Sequence, residues 1–191
     1  RRALRRHVGL GGVLLIAVTS IGRPLAAEAP SRLANGDELP PLEAPTLSGD
    51  NPTSLPRDVR GHATVLVMGF AKSAAKVTPA WLNSCRAALA AKPPGELYCY
   101  DVRMLEDVPR AFRGMMERGM KSGFPIEHQR HTLLVYTQNE AWRTRLGVAD
   151  KKTAYLIGCD AKGIVRSLTS GQYSETEFKK ILDAIEPISP H

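Results

Sequence analysis

Cysteine is scarce in this sequence, and its spacing excludes the common cysteine-based sites. The chain of 191 residues contains three cysteines, Cys85, Cys99 and Cys159. No two of them form a C-x-x-C pair, and their spacing fits no zinc site. In an oxidising compartment Cys85 and Cys99 are candidates for a disulfide; the alternative is that all three are small buried side chains. Spacing alone leaves both possibilities open.

Recognisable cofactor and metal motifs are missing as well. The sequence contains no G-x-G-x-x-G stretch and no P-loop, so nothing predicts a cofactor. His128 and His131 lie near Glu127, but no third convincing ligand accompanies them. Because a metal site in a protein needs three or four ligands, we predict no metal site and expect solvated loop histidines.

Acidic side chains are absent from residues 1–27, which contain five arginines. This segment accounts for most of the net charge of +7, since the remaining residues carry 21 basic and 19 acidic side chains. A protein that binds nucleic acid needs a basic face, which a nearly balanced domain does not offer. We therefore expect no nucleic-acid partner.

The N-terminal apolar run is short for a membrane span. VGLGGVLLIAVTSIG has 15 residues and follows the basic stretch RRALRRH, whereas a span needs roughly 20. With the small residues of RPLAAEAP, this arrangement predicts that residues 1–27 are a signal peptide or targeting segment. It favours export to the periplasm or another extracytoplasmic site, although an arginine-rich leader also fits mitochondrial import. If the segment stays uncleaved, it keeps the protein close to a membrane.

Beyond the leader, the sequence divides into a lead-in and one domain. Residues 28–60 are rich in proline, serine and asparagine and predict an extended lead-in, with a short hairpin around LSGDN, that lies over the domain. In residues 61–187 apolar runs alternate with helical patterns in the order βαβαβαββα. This order predicts an α/β fold of three layers, with a mixed sheet and helices on both faces. Sites in such folds lie beyond the carboxyl ends of the strands, which points to residues 70–76.

Helix termini are indicated by capping residues and proline. The first helix is expected at residues 73–92, with Ser73 as its N-cap and with Pro79 as a kink or a late start. The last helix begins with a capping box formed by Ser174 and Glu177.

The helix predicted at residues 106–121 has a stripe of methionines. Met115 or Met116, together with Met120, falls on one helical face. Such sulfur ligands could suit copper, but this spacing is more typical of a stripe that is buried in the core.

The stretch VLVMGF and the downstream run YLIGCDAKGIVRSLTSGQYSETEF resemble the thioredoxin-like superfamily, in particular exported thiol-disulfide oxidoreductases and alkyl hydroperoxide reductases. The resemblance extends from about Leu42 to Ile185. The family carries two reactive cysteines about where this chain has Ser73 and Lys76, and a cis-proline where it has Lys152. Because serine and lysine cannot exchange disulfides, the resemblance implies a degenerate active site without catalytic residues.

The stretch GFAKSAAKVTPAW and the run from Ala154 to Gly171 are similar to the mitochondrial ATP synthase assembly factors. That family has a first helix with serine and tryptophan, and a G-Y-V-Y-L-V-D-x-x-G-x-I-R-W-x-x-x-G run to which Asp160 and Gly163 correspond. This sequence departs from the family at Ala154, where the family has glycine, and at Ser167, where it has tryptophan. The resemblance implies an assembly role.

These observations predict a non-catalytic, exported binding protein that acts as a chaperone or assembly factor for a protein client. The candidate contact residues surround the start of the first helix: Lys72, Ser73, Lys76 and Trp81. The alternative is an ordinary cap with solvated lysines for the first three, and a place in the core for Trp81. Two other functions stay open: an atypical thiol-disulfide oxidoreductase or peroxidase, or a passive structural envelope protein.

Overall fold

A central sheet of five strands organises the protein. The computed structural model describes residues 31–186. The strands are β1 (Leu42–Ala44), β2 (Thr53–Leu55), β3 (Ala63–Gly69), β4 (Leu97–Met104), β5 (Thr132–Val135), β6 (Ala154–Cys159) and β7 (Val165–Gly171). The helices are α1 (Thr78–Ala90), α2 (Arg110–Gly123), α3 (Ile126–Arg130), α4 (Asn139–Leu146) and α5 (Glu175–Ile185). β1 and β2 form the hairpin expected around LSGDN, and the central sheet has the order β5-β4-β3-β6-β7.

The central sheet is mixed. β3, β4 and β5 are parallel to one another, whereas β6 is antiparallel to both of its neighbours, β3 and β7. The three parallel strands therefore end at the same edge of the sheet, where β3 is followed by residues 70–76. The predicted α/β fold class, with its closing antiparallel hairpin, is confirmed.

Each face of the sheet has its own apolar core, because successive side chains along a strand point to opposite faces. On one face, Val67 of β3 belongs to a cluster that includes buried residues of α1 and α5. On the other face, Leu66 belongs to a cluster that includes Trp142 of α4. Helices thus lie on both faces, as predicted.

The lead-in before β3 contributes to the second of these cores. Leu39, Leu42, Leu55 and Val59 are each 1 or 2% exposed and lie in the same cluster as Leu66. Backbone hydrogen bonds of 2.9 and 2.8 Å also join the lead-in to the β6–β7 turn and to the start of β5. The predicted leader at residues 1–27, the first residues of the lead-in and the last residue of the predicted domain lie outside the described range. Within that range, no helix has the length and apolar character needed to cross a membrane.

The helical region between β4 and β5 differs from the prediction. The helix expected at residues 106–121 begins only at Arg110, because Pro109 disfavours helical backbone at the residue before it. The short helix α3, which the sequence pattern does not indicate, follows after Phe124 and Pro125, both of which have extended backbone.

The start of α5 agrees with its predicted capping box. The hydroxyl of Ser174 accepts a hydrogen bond from the amide of Glu177 at 3.4 Å. This bond satisfies one of the free amides at the helix N-terminus and fixes where α5 begins.

Candidate functional site

The turn after β3 is a short 3-10 helix, Lys72–Lys76, which is separate from α1. α1 begins at Thr78 and has Pro79 in its first turn, the one place where the missing N–H of proline removes no helical hydrogen bond. The late start indicated by Pro79 is therefore found. Ser73 lies inside the 3-10 turn and is half-buried, so the prediction that it caps the helix is wrong.

The lysines at the predicted site do not converge on one point. Lys72 and Lys76 are both exposed, and of the two only Lys72 lines the adjacent cavity. Lys152 lies in an exposed turn before β6, follows a trans peptide bond, and donates its amide to Asp150 Oδ1 at 2.8 Å. In the sheet register, Ala154 rather than Lys152 is paired with Gly69 at the end of β3.

Trp81 is part of the core and does not reach the surface. It is 1% exposed, and its indole N–H donates to the carbonyl of Gly171 at 3.1 Å. Its ring packs edge-on against Tyr173 and Phe178, with centroid distances of 5.2 and 6.4 Å. The proposed role of Trp81 as a partner contact is therefore wrong, because a buried ring offers no surface to a partner.

A cavity of about 540 Å³ opens beside the 3-10 turn, and we call it the cleft. It lies between the end of β3, the second half of β4, the first turn of α1 and the helix α2. Its lining residues are Gly69, Phe70, Ala71, Lys72, Ala74, Ala75, Thr78, Asp101, Arg103, Met104, Leu105, Asp107, Val108, Met116 and Met120. The cleft is thus at the carboxyl ends of parallel strands, where the sequence predicts a site.

A second cavity of about 410 Å³, the side cavity, adjoins the cleft next to α1. Four residues line both spaces: Ala75, Arg103, Met116 and Met120. The remaining lining residues of the side cavity are Pro79, Leu82, Arg86, Gly119, Gly123 and Phe124. The two cavities therefore adjoin each other between α1 and α2, and we call them together the adjoining cavities.

A buried ion pair lies at the floor of the cleft. Asp101 is 2% exposed, and its Oδ2 accepts hydrogen bonds from Arg103 Nε at 2.9 Å and Nη2 at 2.7 Å. The guanidinium of Arg103 also lies over the ring of Phe124, 5.3 Å from its centroid. Burial raises the pKa of Asp101 above its usual value, and the charge of Arg103 opposes that rise. Both side chains face α1, since they alternate with Val102 and Met104, which belong to the other core.

A second guanidinium, that of Arg86 on α1, is close to this pair. Arg86 is half-buried, and no residue from 31 to 186 forms an ion pair or a hydrogen bond with its side chain. Burial lowers the pKa of Arg86, while the charge of Asp101 raises it and that of Arg103 lowers it further. The floor of the adjoining cavities therefore has two positive side chains, Arg86 and Arg103, and one negative side chain, Asp101.

These three residues were not among the site residues that the sequence predicts. A signal was present in β4, LYCYDVRM, where Asp101 and Arg103 stand two residues apart in an otherwise apolar strand and so share one face. For Arg86 no local signal exists, because only the packing of α1 on β4 brings it to the pair.

All three cysteines lie outside the cleft. Cys85 of α1 and Cys99 of β4 are joined by a disulfide, with their Cα atoms 6.1 Å apart. They are 0 and 5% exposed. Cys159 is a free thiol that is completely buried, and burial, together with the charge of Asp160, raises its pKa to about 12. A thiol with this pKa is protonated at neutral pH and is a poor nucleophile.

α2 covers the cleft without closing over it. None of its residues is buried; Phe112 is 55% exposed and Met115 is 61% exposed, while Met116 and Met120 are half-buried at the cavities. The expectation that the methionine stripe is buried in the core is therefore wrong. The physical reason lies beneath the helix: the side chain of Arg103 is still partly exposed, and an apolar helix packed tightly onto it would remove this charge from water at a large cost.

The two histidines are less solvated than expected. His128 belongs to α3 and His131 follows it, and both are half-buried. The ring of His131 packs 5.4 Å from that of Tyr100, and its Nδ1 is hydrogen-bonded to the carbonyl of Glu127 at 3.1 Å. Burial lowers the pKa of His128. In the described part of the chain, no group of three or more histidine, cysteine, aspartate or glutamate side chains could hold a metal ion.

Comparison with known proteins identifies the fold. No family model and no curated protein matches the chain. The thioredoxin domain of a thiol-disulfide oxidoreductase from Bacteroides vulgatus is 16% identical over 81% of this chain and 99% of that chain, with a TM-score of 0.55. BsSco, a member of the Sco family of cytochrome c oxidase assembly proteins, is 13% identical over 81% and 94%, with a TM-score of 0.55. A thiol peroxidase from Chromobacterium violaceum is 15% identical over 80% and 88%, with a TM-score of 0.52. At these identities the likeness concerns the fold, and the chain has the thioredoxin-like fold that its sequence motifs imply.

Proposed function

We propose that this protein is a non-catalytic binding protein that acts outside the cytoplasm, as a chaperone or assembly factor for a protein client. The observation that carries the proposal is the position of the sulfur atoms of cysteine. The turn after β3 has none, and all three cysteines are buried elsewhere. Disulfide exchange requires an accessible thiolate, which neither Ser73 nor Lys76 supplies.

The surface beside the cleft supports binding to a protein. Phe112 and Met115 are three residues apart and so lie on one face of α2; we call them the apolar patch. Large apolar side chains that stay exposed side by side are typical of interaction surfaces. BsSco, which has the same fold, belongs to a family of assembly proteins. This supports the same kind of role for the present protein.

The extracytoplasmic location is supported by the disulfide between Cys85 and Cys99, because such bonds persist in oxidising compartments. The predicted leader at residues 1–27 agrees with this location. Import into mitochondria is the alternative destination.

A second candidate function is an atypical thiol-disulfide oxidoreductase, which is favoured by the presence of that same disulfide. Two assays distinguish the binding protein from the oxidoreductase: insulin reduction with dithiothreitol, and hydroperoxide consumption. Both are measured for the wild type and for C85A/C99A. We expect neither protein to exceed the background rate, with circular dichroism confirming that the variant is folded. Turnover by the wild type that is lost in the variant would overturn the non-catalytic proposal.

The binding role is tested by site-specific photocrosslinking in the native host. A photoreactive amino acid replaces Met115 in the apolar patch, and in the matched control it replaces Lys162 in the β6–β7 turn. Lys162 is exposed and lies at the opposite end of the sheet, since Cys159 pairs with Thr64 near the start of β3. We expect a discrete adduct with one protein from position 115 only. Identical adducts from both positions, or none from either, would contradict a client at this surface and favour a passive structural role.

A further inference from the structure

We propose that the adjoining cavities under α2 bind an amphipathic carboxylate, meaning a small molecule with one carboxylate group on an aliphatic chain. Its carboxylate would lie between Arg86 and Arg103, and its chain would run beneath α2 into the cleft. This ligand site is independent of the client proposed above, which would contact the outer surface of α2.

The charges at the floor of the cavities favour an anionic ligand. Arg103 uses Nε and Nη2 to bind Asp101, and its Nη1 has no hydrogen-bond acceptor among residues 31–186. Arg86 has no acidic partner in the same range. Among the lining side chains, Lys72, Arg86 and Arg103 are basic and Asp101 and Asp107 are acidic, which leaves one net positive charge that one more anion would balance. Guanidinium groups are suited to binding a carboxylate because their planar arrangement of donors matches its geometry.

The cost of leaving Arg86 without a partner supports the same arrangement. Its pKa is lowered mainly by burial, which means that the protein makes its charged form less stable than it is in water. An anion bound beside it would restore part of the lost solvation. A cationic ligand would have the opposite effect, because it would add a third positive charge.

The apolar walls of the cavities favour a ligand with an aliphatic chain. Met116 and Met120 line both cavities, and Leu82 and Phe124 line the side cavity. Methionine side chains are flexible and adapt to an irregular apolar ligand. The volumes of about 540 and 410 Å³ lie within the usual range for small-molecule sites. An inorganic anion would satisfy the arginines but would leave these apolar walls against water.

The test is isothermal titration calorimetry on the folded protein with three probes below their micellar concentrations: decanoate, acetate and decyltrimethylammonium. We expect saturable binding of one decanoate per protein and at least tenfold weaker binding of the other two. Similar affinities for decanoate and decyltrimethylammonium would overturn the proposal, as would non-saturable uptake of decanoate.

Two pairs of variants locate the binding. Arg86→Gln should weaken decanoate binding about tenfold or more, since it removes charge-assisted hydrogen bonds to the carboxylate of the ligand. Its control, Arg118→Gln, removes an exposed arginine of α2 that lines neither cavity and should bind normally.

Ala75→Phe places a ring where the two cavities meet and should abolish binding. Its control, Ala80→Phe, lies at an exposed position of α1 outside both cavities and should bind normally. Unchanged binding in Arg86→Gln and Ala75→Phe, with circular dichroism showing that both are folded, would refute the site.

Discussion

At the scale of single residues, Asp160 shows how one side chain fixes a turn. Its Oδ1 accepts hydrogen bonds from the amides of Lys162 at 2.9 Å and Ile164 at 3.1 Å, and its Oδ2 accepts one from Arg166 Nε at 2.8 Å. Partial burial raises the pKa of Asp160, but these hydrogen bonds outweigh it and hold the pKa below its ordinary value of 3.8. The ionised carboxylate therefore stabilises the folded state more than the protonated form does.

We expect Asp160→Asn to lower the free energy of unfolding at pH 7 by about 1–2 kcal/mol, because it removes charge-assisted hydrogen bonds. A group with a lowered pKa stabilises the fold above its unfolded-state pKa and loses that contribution as the pH falls through its folded-state pKa. The difference in the free energy of unfolding between the variant and the wild type should therefore shrink below about pH 4. Urea unfolding at several pH values measures this difference.

Asp183→Asn is the control for that experiment, since Asp183 is exposed on α5 and has no ion pair with the residues described. Its free energy of unfolding should stay within about 0.5 kcal/mol of the wild type at every pH. A constant difference across pH for Asp160→Asn would show that the carboxylate charge is not what stabilises the turn.

At the scale of elements, α2 is the helix with the weakest support. It contains Gly114 and Gly119 in its interior, and none of its residues is buried. Glycine in a helix interior costs roughly 0.5–1 kcal/mol relative to alanine. A helix with poor propensity and few buried contacts opens locally more often than the rest of a protein does. Such opening would give ligands access to the cavities beneath it.

Gly119→Ala should stabilise α2, because a Cβ at this position meets no atom within 4 Å. We expect hydrogen exchange of the α2 amides to slow by about 2- to 5-fold, which corresponds to roughly 0.5–1 kcal/mol. Exchange measured by mass spectrometry on peptides that cover α2 tests this expectation.

The contrasting change is Gly158→Ala in β6. There a Cβ would lie 2.9 Å from Cγ2 of both Ile181 and Ile185 in α5, so the helix would have to shift. We expect a loss of about 1–3 kcal/mol in the free energy of unfolding, measured by urea denaturation. Faster hydrogen exchange of the α2 amides in Gly119→Ala would contradict the claim that Gly119 weakens α2. An unchanged free energy of unfolding in Gly158→Ala would contradict the claim that α5 leaves no room for a Cβ at residue 158.

At the scale of the whole molecule, the lead-in and the domain share one interior. The proline-rich composition ends near residue 61, which predicts a domain boundary there. The structure shows buried leucines of the lead-in on the same face of the sheet as α4. Composition reveals that a segment is irregular, but it does not reveal whether the segment packs against a distant strand.

Leu42→Ala should therefore destabilise the entire protein and not only the hairpin of β1 and β2. Leu42 is 2% exposed, and truncation of a buried leucine costs about 2–5 kcal/mol. The neighbouring change Glu43→Ala, at an exposed position of the same strand, should stay within about 0.5 kcal/mol. Guanidinium unfolding followed by tryptophan fluorescence reports on the domain, because Trp81 and Trp142 lie in its two cores. An unfolding midpoint unaffected by Leu42→Ala would show that the lead-in is a separate unit.

The sequence by itself determined the alternation of strands and helices, the capping of α5 and the absence of a thiol after β3. Each of these depends on hydrogen bonds, dihedral preferences or residue types within a few positions of one another, so a local pattern contains the information. Only the tertiary structure decided that Trp81 is buried, that α2 stands off the sheet and that Arg86 comes close to Asp101 and Arg103. These outcomes depend on how segments far apart in the chain pack, because the desolvation of charges and the filling of space are settled between elements and not within them.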